Sequence, residues 1–284
     1  MIKMKLIQLV AVFTLLCSST IFAQLPTIPG LQSDAAPEPN PVAPMYRQTG
    51  EQYRVYAFPG TGEPIPYRLF VPENWTAEQQ LPILVTLRAG TSIDNNHRGT
   101  NDLIREARAR GYIVISPLGY RGYRQPYYGS PYPVDRPNGP SEPAAGWTAE
   151  ENQRAELDVM YVLNLVAAEY NADTGRIFVH GQNPSGSSAF HFAAKYPDLI
   201  SAILVSAGPI VTDNYPFENL RGKVAVMMIH GDQDTQNTVA ASQGVTRELQ
   251  EHGIEAVYAT VPGGEHLTAY LTYASEVFDF FDAH

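Results

Sequence analysis

Arg176-Ile-Phe-Val-His-Gly-Gln-Asn-Pro-Ser-Gly-Ser-Ser-Ala-Phe-His-Phe-Ala-Ala-Lys195 is the stretch on which the fold turns. A β-branched and aromatic segment runs into a Gly-rich turn and leaves as a small-residue, then amphipathic helix. That is the strand–turn–helix setting of a nucleophile elbow. Laid on G-x-S-x-G, the residues fall as Gly181, Gln182, Asn183, Pro184 and Ser185. The nucleophile slot therefore holds a carboxamide, which has no ionisable O–H to give to a base. The next residue should lend its backbone N–H to an oxyanion hole, and proline has none. A proline also pushes its predecessor towards extended backbone, so the sequence predicts Asn183 as an ordinary helix N-cap with Pro184 at the first helical position.

Working outward, apolar strands alternate with helices. Upstream, Tyr53–Phe58 and Pro66–Pro72 read as an antiparallel pair around the turn Pro59-Gly-Thr-Gly62, followed by the strand Pro82–Leu87. Helices are predicted over Thr100–Arg110, Glu150–Tyr170, the segment after the elbow, Val239–His252 and about Leu267–Phe281. Strands are predicted over Tyr112–Pro117, Ile177–His180, Ala202–Ser206, Val224–Ile229 and Ala256–Val261. This alternation implies an α/β protein whose mainly parallel central sheet, of about eight strands, carries helices on both faces. In such folds chemistry gathers at the carboxyl ends of the strands.

The two segments that follow the last strands carry the remaining reactive residues. His230-Gly-Asp-Gln-Asp234 and Val261-Pro-Gly-Gly-Glu-His266 place an acid and then a histidine on consecutive strand ends. Nucleophile slot, Asp, His is the chain order of α/β-hydrolases. Asp234 would accept from the imidazole and His266 would be the base, with Asp232 as the alternative acid. His180, His191, His230 and His252 show no metal-ligand pattern and read as structural; neither a metal nor a cofactor is implied.

The chain has 284 residues with 44% hydrophobic content, enough for one large core. Its formal charge is −10, which argues against nucleic acid or anionic lipid as a partner in the absence of a basic cluster. Residues 1–23 have the layout of a secretory signal: Lys3 and Lys5, an apolar run from Leu6 to Leu16, then small residues to Ala23. The run is shorter than the roughly 18 residues expected of a membrane span. The expectation is a secreted or periplasmic protein without a membrane span in its mature form. Cys17, the single cysteine, lies inside that signal. Residues 24–47, rich in Pro, Ala and Asn, read as a linker, and 48–284 as the hydrolase-like domain.

Between Gly119 and Gly146 lies a long irregular stretch with Tyr120, Tyr123, Tyr127, Tyr128 and Tyr132, followed by Trp147. Rings with an apolar body and a polar tip suit a sugar or aromatic-acyl ligand, and Tyr120, Tyr123 and Trp147 are candidate binding residues. The alternative is a Pro-rich loop packed on its own aromatics.

From about Tyr53 to its end the chain resembles secreted serine esterases of the α/β-hydrolase fold, the group of feruloyl and acetyl esterases and polyhydroxybutyrate depolymerase-like enzymes. The resemblance is carried by Tyr170-Asn-Ala-Asp-Thr-Gly-Arg-Ile-Phe-Val179, Lys195-Tyr-Pro-Asp198, His230–Thr235 and Pro262–His266. It maps the family serine onto Asn183. Where the family commonly has His-Gly-Gly for the other half of the oxyanion hole, this chain has Arg88-Ala89-Gly90. Removing the serine of a triad costs about 10⁶-fold in turnover, and one oxyanion donor roughly 10²–10³-fold. The resemblance thus implies a hydrolase relative without the usual serine mechanism that binds a small-molecule or polysaccharide ester-like ligand. The rival is an active carboxylic-ester hydrolase with a relocated nucleophile, Ser185, served by His266 and Asp234 and by the N–H groups of Gly186 and Ser187.

Overall fold

The computed structural model describes residues 36–87, 98–120, 148–208, 215–266 and 272–284. Eight strands form one sheet: β1 Gly50–Ala57, β2 Pro64–Val71, β3 Ile83–Leu87, β4 Ile113–Pro117, β5 Ile177–Gln182, β6 Ala202–Ser206, β7 Ala225–Gly231 and β8 Ala256–Val261. Their spatial order is β1-β2-β4-β3-β5-β6-β7-β8. The β1–β2 and β2–β4 pairs are antiparallel and every other pair is parallel. The expected mainly parallel sheet, that of the α/β-hydrolase fold, is present.

Burial along the strands shows how the sheet is covered. β1, at one edge, alternates buried and exposed residues, whereas β3, β5, β6 and β7 are buried at every position. Central strands need apolar partners on both sides. The helices α1 Arg98–Arg110, α2 Ala149–Tyr170, α3 Pro184–Lys195, α4 Val239–Glu251 and α5 Ala274–Asp282 supply them. One core layer joins α2, α3 and α4 residues such as Val162, Phe190 and Leu249 to Val85 and Val179. The other joins Leu103 and Ile104 of α1 and Phe278 and Phe281 of α5 to Leu84 and Phe178.

The long helix α2 is set by its ends. Thr148 Oγ1 accepts from Glu151 N at 3.1 Å while Glu151 Oε2 accepts from Thr148 N at 2.9 Å, a reciprocal capping box. Asn171 closes the other end in the left-handed region, at φ 50. Buried carboxylates on α2 anchor it to the sheet: Asp158 accepts from Tyr56 Oη at 2.6 Å and from Gly119 N at 2.8 Å.

Two boundaries differ from expectation. The last helix starts at Ala274, because 272–273 form a turn, so it begins later than Leu267. The stretch read as linker is tied to the domain at its end: Glu169 Oε1 accepts from Arg47 N at 2.6 Å, and Arg54 Nη2 donates to Met45 O. No helix of the described residues is long and apolar enough to cross a membrane.

Candidate active site

The carboxyl ends of β5, β6, β7 and β8 meet around Asn183. β5 pairs with β6 as far as Gln182 and Ser206, and Asn183 N extends the ladder by donating to Ser206 O at 2.9 Å. The chain then reverses into α3 within one residue. Asn183 has φ 51 and ψ −119 and makes no capping hydrogen bond with its side chain. This corrects the expectation of an ordinary helix start: Asn183 does occupy the N-cap position ahead of Pro184, but on the strained backbone of a sharp strand–helix elbow.

The glycines explain why the elbow persists against the extended preference that a following proline imposes. A Cβ on Gly181 would stand 2.1 Å from Ser185 O, and one on Gly186 would stand 2.8 Å from Val205 Cγ1. Both positions let the first turn of α3 settle directly on the ends of β5 and β6. Tertiary packing overrides the local propensity.

Asp234, in the turn after β7, has a side chain with 0% exposure. Its Oδ1 accepts from the backbone N–H groups of Gln236 at 2.7 Å and Asn237 at 3.0 Å, and its Oδ2 lies 2.7 Å from His266 Nδ1. Burial pushes the carboxyl pKa up, but the N–H of Asn237 and the imidazole of His266 outweigh it, and the net shift is downward. An ionised carboxylate only accepts, so the proton of this hydrogen bond sits on His266 Nδ1; whenever the imidazole is uncharged, its other nitrogen, Nε2, is an acceptor. His266 is 5% exposed, and its Nε2 has no hydrogen-bond partner among the described residues. Gln182 Nε2 donates to His266 O at 3.1 Å, which seats the histidine directly beside the elbow.

The structure brings together Asp234 and His266, the two residues that the sequence pairs as acid and base. Asp232, the alternative acid, instead holds the turn after β8, where its Oδ1 accepts from Gly263 N at 2.7 Å. Of two further site residues, Asn237 carries no sequence signal and His230 reads from the sequence as structural. Asn237 donates through Nδ2 to Ala207 O at 2.6 Å and to Asn183 Oδ1 at 3.1 Å, linking the elbow to the acid. His230 Nε2 lies 2.9 Å from the Asp234 oxygen that His266 holds, while Nδ1 meets Ser242 Oγ at 2.7 Å. His180 meets Ser206 Oγ at 3.0 Å, His191 meets Glu156 at 3.0 Å, and His252 stacks on Phe217, all as structural contacts.

Ser185 is 0% exposed in the first turn of α3. It is no hydrogen-bond partner of His266 Nε2, and the N–H of Gly186, one of the two donors a relocated oxyanion site would use, is taken by Asn183 O at 2.9 Å. Tyr120 is corrected as a ligand-facing ring: it is 1% exposed, packs on Phe58 at 4.7 Å, accepts from Arg154 Nη1 at 2.9 Å and donates to Glu63. Pro184 opens α3 and brings no N–H to the site. Arg88, Ala89, Gly90, Tyr123 and Trp147 lie outside the described residues.

Residues 59–219, more than half of the chain, match the family model described as "Putative esterase". No curated protein sequence matches the chain. Among solved structures it is similar to a thermostable esterase (20% identity, TM-score 0.62, covering 82% of this chain and 62% of that one). It is also similar to a ferulic acid esterase (13% identity, TM-score 0.59, 82% and 97%). A third is a fluorophosphonate-binding serine hydrolase of Staphylococcus aureus (13% identity, TM-score 0.60, 82% and 99%). At these identities the likeness is one of fold, and the chain spans less than two thirds of the thermostable esterase.

Proposed function

From a chain that belongs to the esterase family, we propose a protein that has kept the hydrolase cleft as a binding site and lost the serine-esterase reaction. The observation that carries this reading is Asn183 at φ 51 and ψ −119. The backbone of the elbow is held in place for a nucleophile, and the side chain there is an amide that cannot attack. Pro184 removes the adjacent oxyanion N–H. The Asp234–His266 pair remains assembled, yet a base with no nucleophile to activate supplies little of the roughly 10⁶-fold that a complete triad gives.

The ligand of this reading is an ester- or carbohydrate-like small molecule, supported by family membership and by the retained pair. Export through residues 1–23 belongs to the same proposal and is supported by Lys3, Lys5, the apolar run 6–16 and the small residues up to Ala23. Hydrolysis of p-nitrophenyl acetate tests the reading: the native protein and His266→Ala are expected to give the same background rate. Turnover well above background that His266→Ala abolishes would overturn it.

A further inference from the structure

The hydrogen bonds around the elbow form an open chain with a free end on each side. Asn237 Nδ2 donates to Ala207 O, a pure acceptor, so that atom is a donor and the atom of Asn183 facing it at 3.1 Å is Oδ1. The carboxamide of Asn183 is thereby oriented, and its NH₂ group makes no hydrogen bond among the described residues. From Asn237 the chain runs through its backbone N–H to Asp234 Oδ1, and from Asp234 Oδ2 to His266 Nδ1. It ends at His266 Nε2, a buried nitrogen without a partner among the described residues, on a residue 5% exposed. One end offers a donor and the other an acceptor.

An elbow of this kind presents its side chain to the imidazole nitrogen remote from the acid. We infer that Asn183 and His266 together bind a hydroxyl group of the ligand, in the place where the family carries its own serine hydroxyl; the inference rests on the binding-site reading above. A hydroxyl accepts one hydrogen bond while donating another, so it satisfies both free ends with no movement of protons. A carboxylate fits less well: it would require a protonated ring and would bring a second negative charge beside the buried Asp234. A ketone or ester oxygen leaves His266 Nε2 unmatched. The ligand class is thus an alcohol, such as a sugar or other polyol, held at the elbow by one hydroxyl.

The probe is benzyl alcohol, compared with toluene and benzoate on the full-length protein carrying ¹⁵N in its histidine rings and asparagine side chains. Benzyl alcohol is expected to shift the His266 Nε2 and Asn183 NH₂ resonances saturably. Toluene makes neither of the hydroxyl's two hydrogen bonds and is expected to bind at least about tenfold more weakly, a single neutral bond being worth up to about that factor. Asn183→Leu, close in size but apolar, should cost the alcohol a similar factor and leave toluene unaffected, and His266→Phe serves as a second variant if Asn183→Leu fails to fold. Equal binding of alcohol and toluene, no binding of the alcohol, or preference for benzoate would each overturn the inference. Parallel p-nitrophenyl acetate assays separate the two proposals: absent turnover with no preference for alcohol rejects the hydroxyl site alone, whereas turnover dependent on His266 rejects the binding-site reading itself.

Discussion

The Asn237 side chain stands between Asn183 and the carbonyl of Ala207, 3.1 Å from Asn183 Oδ1 and 2.6 Å from Ala207 O. Ala207 is itself strained, with φ 49, and Asn183 has φ 51. One amide therefore clamps two unfavourable backbone positions at the ends of adjacent strands. Such strain persists only where the surroundings over-determine it.

Truncation of that clamp should be costly for one polar residue. Asn237→Ala leaves Ala207 O and Asn183 Oδ1 without their donor, and a loss of about 1–3 kcal/mol is expected. The urea midpoint should fall with an unchanged slope. An unchanged midpoint would show that the clamp holds nothing.

If the elbow backbone is intact, restoring its chemistry should take few changes. Asn183→Ser supplies a hydroxyl to His266 but still lacks the N–H that Pro184 cannot give. Weak hydrolysis of small aryl esters is expected, and adding Pro184→Met should raise it by about 10²–10³-fold. Adding His266→Ala should abolish the gain. A folded double variant with no activity would show that the pocket beyond these residues has diverged.

The close approach of α3 to the sheet is equally testable. In Gly181→Ala the new Cβ falls 2.1 Å from Ser185 O and 2.6 Å from its carbonyl carbon. Both atoms are backbone, so no rotamer change relieves the contact. A destabilisation above about 4 kcal/mol, or failure to fold, is expected. A loss below about 1 kcal/mol in denaturant unfolding would contradict this packing.

Acid stability should be governed in part by Glu156, buried on α2 beside His191, Lys195 and Tyr196. Burial raises its pKa, but the hydrogen bond and charge of His191 and the contacts of Lys195 and Tyr196 outweigh that and bring it from 4.5 down to about 2. A carboxyl depressed in the folded state stabilises above its unfolded pKa, and the stabilisation is lost as pH falls through the folded value. About 3 kcal/mol should therefore disappear between pH 4.5 and 2. Urea unfolding across that window should show this loss in the native protein and not in Glu156→Gln, which is less stable at pH 7. Equal pH slopes in the two would contradict it.

Much of this was legible in the sequence because it rests on periodicity and order. Buried apolar runs gave the parallel strands, and the positions of Asp234 and His266 after two successive strands gave the pair. The backbone of Asn183 was not legible, since Asn-Pro reads locally as an extended cap and the elbow is imposed from outside, by Gly181 and Gly186 lying against α3 and β6. Asn237 belongs to no pattern, and His230, though within the His230–Thr235 segment, reads only as structural; their contacts arise when the turn after β7 brings Asp234 back against the end of that strand. Tyr120 misled because a tyrosine opening an irregular stretch offers the same residue signal whether its ring faces a ligand or, as here, Phe58 and Arg154.

A fluorophosphonate probe read by mass spectrometry reports most directly whether any serine of this protein is an activated nucleophile. The native protein is expected to remain unlabelled, and Asn183→Ser to take up one probe at residue 183. A stoichiometric adduct on the native chain, at Ser185 above all, would contradict the account.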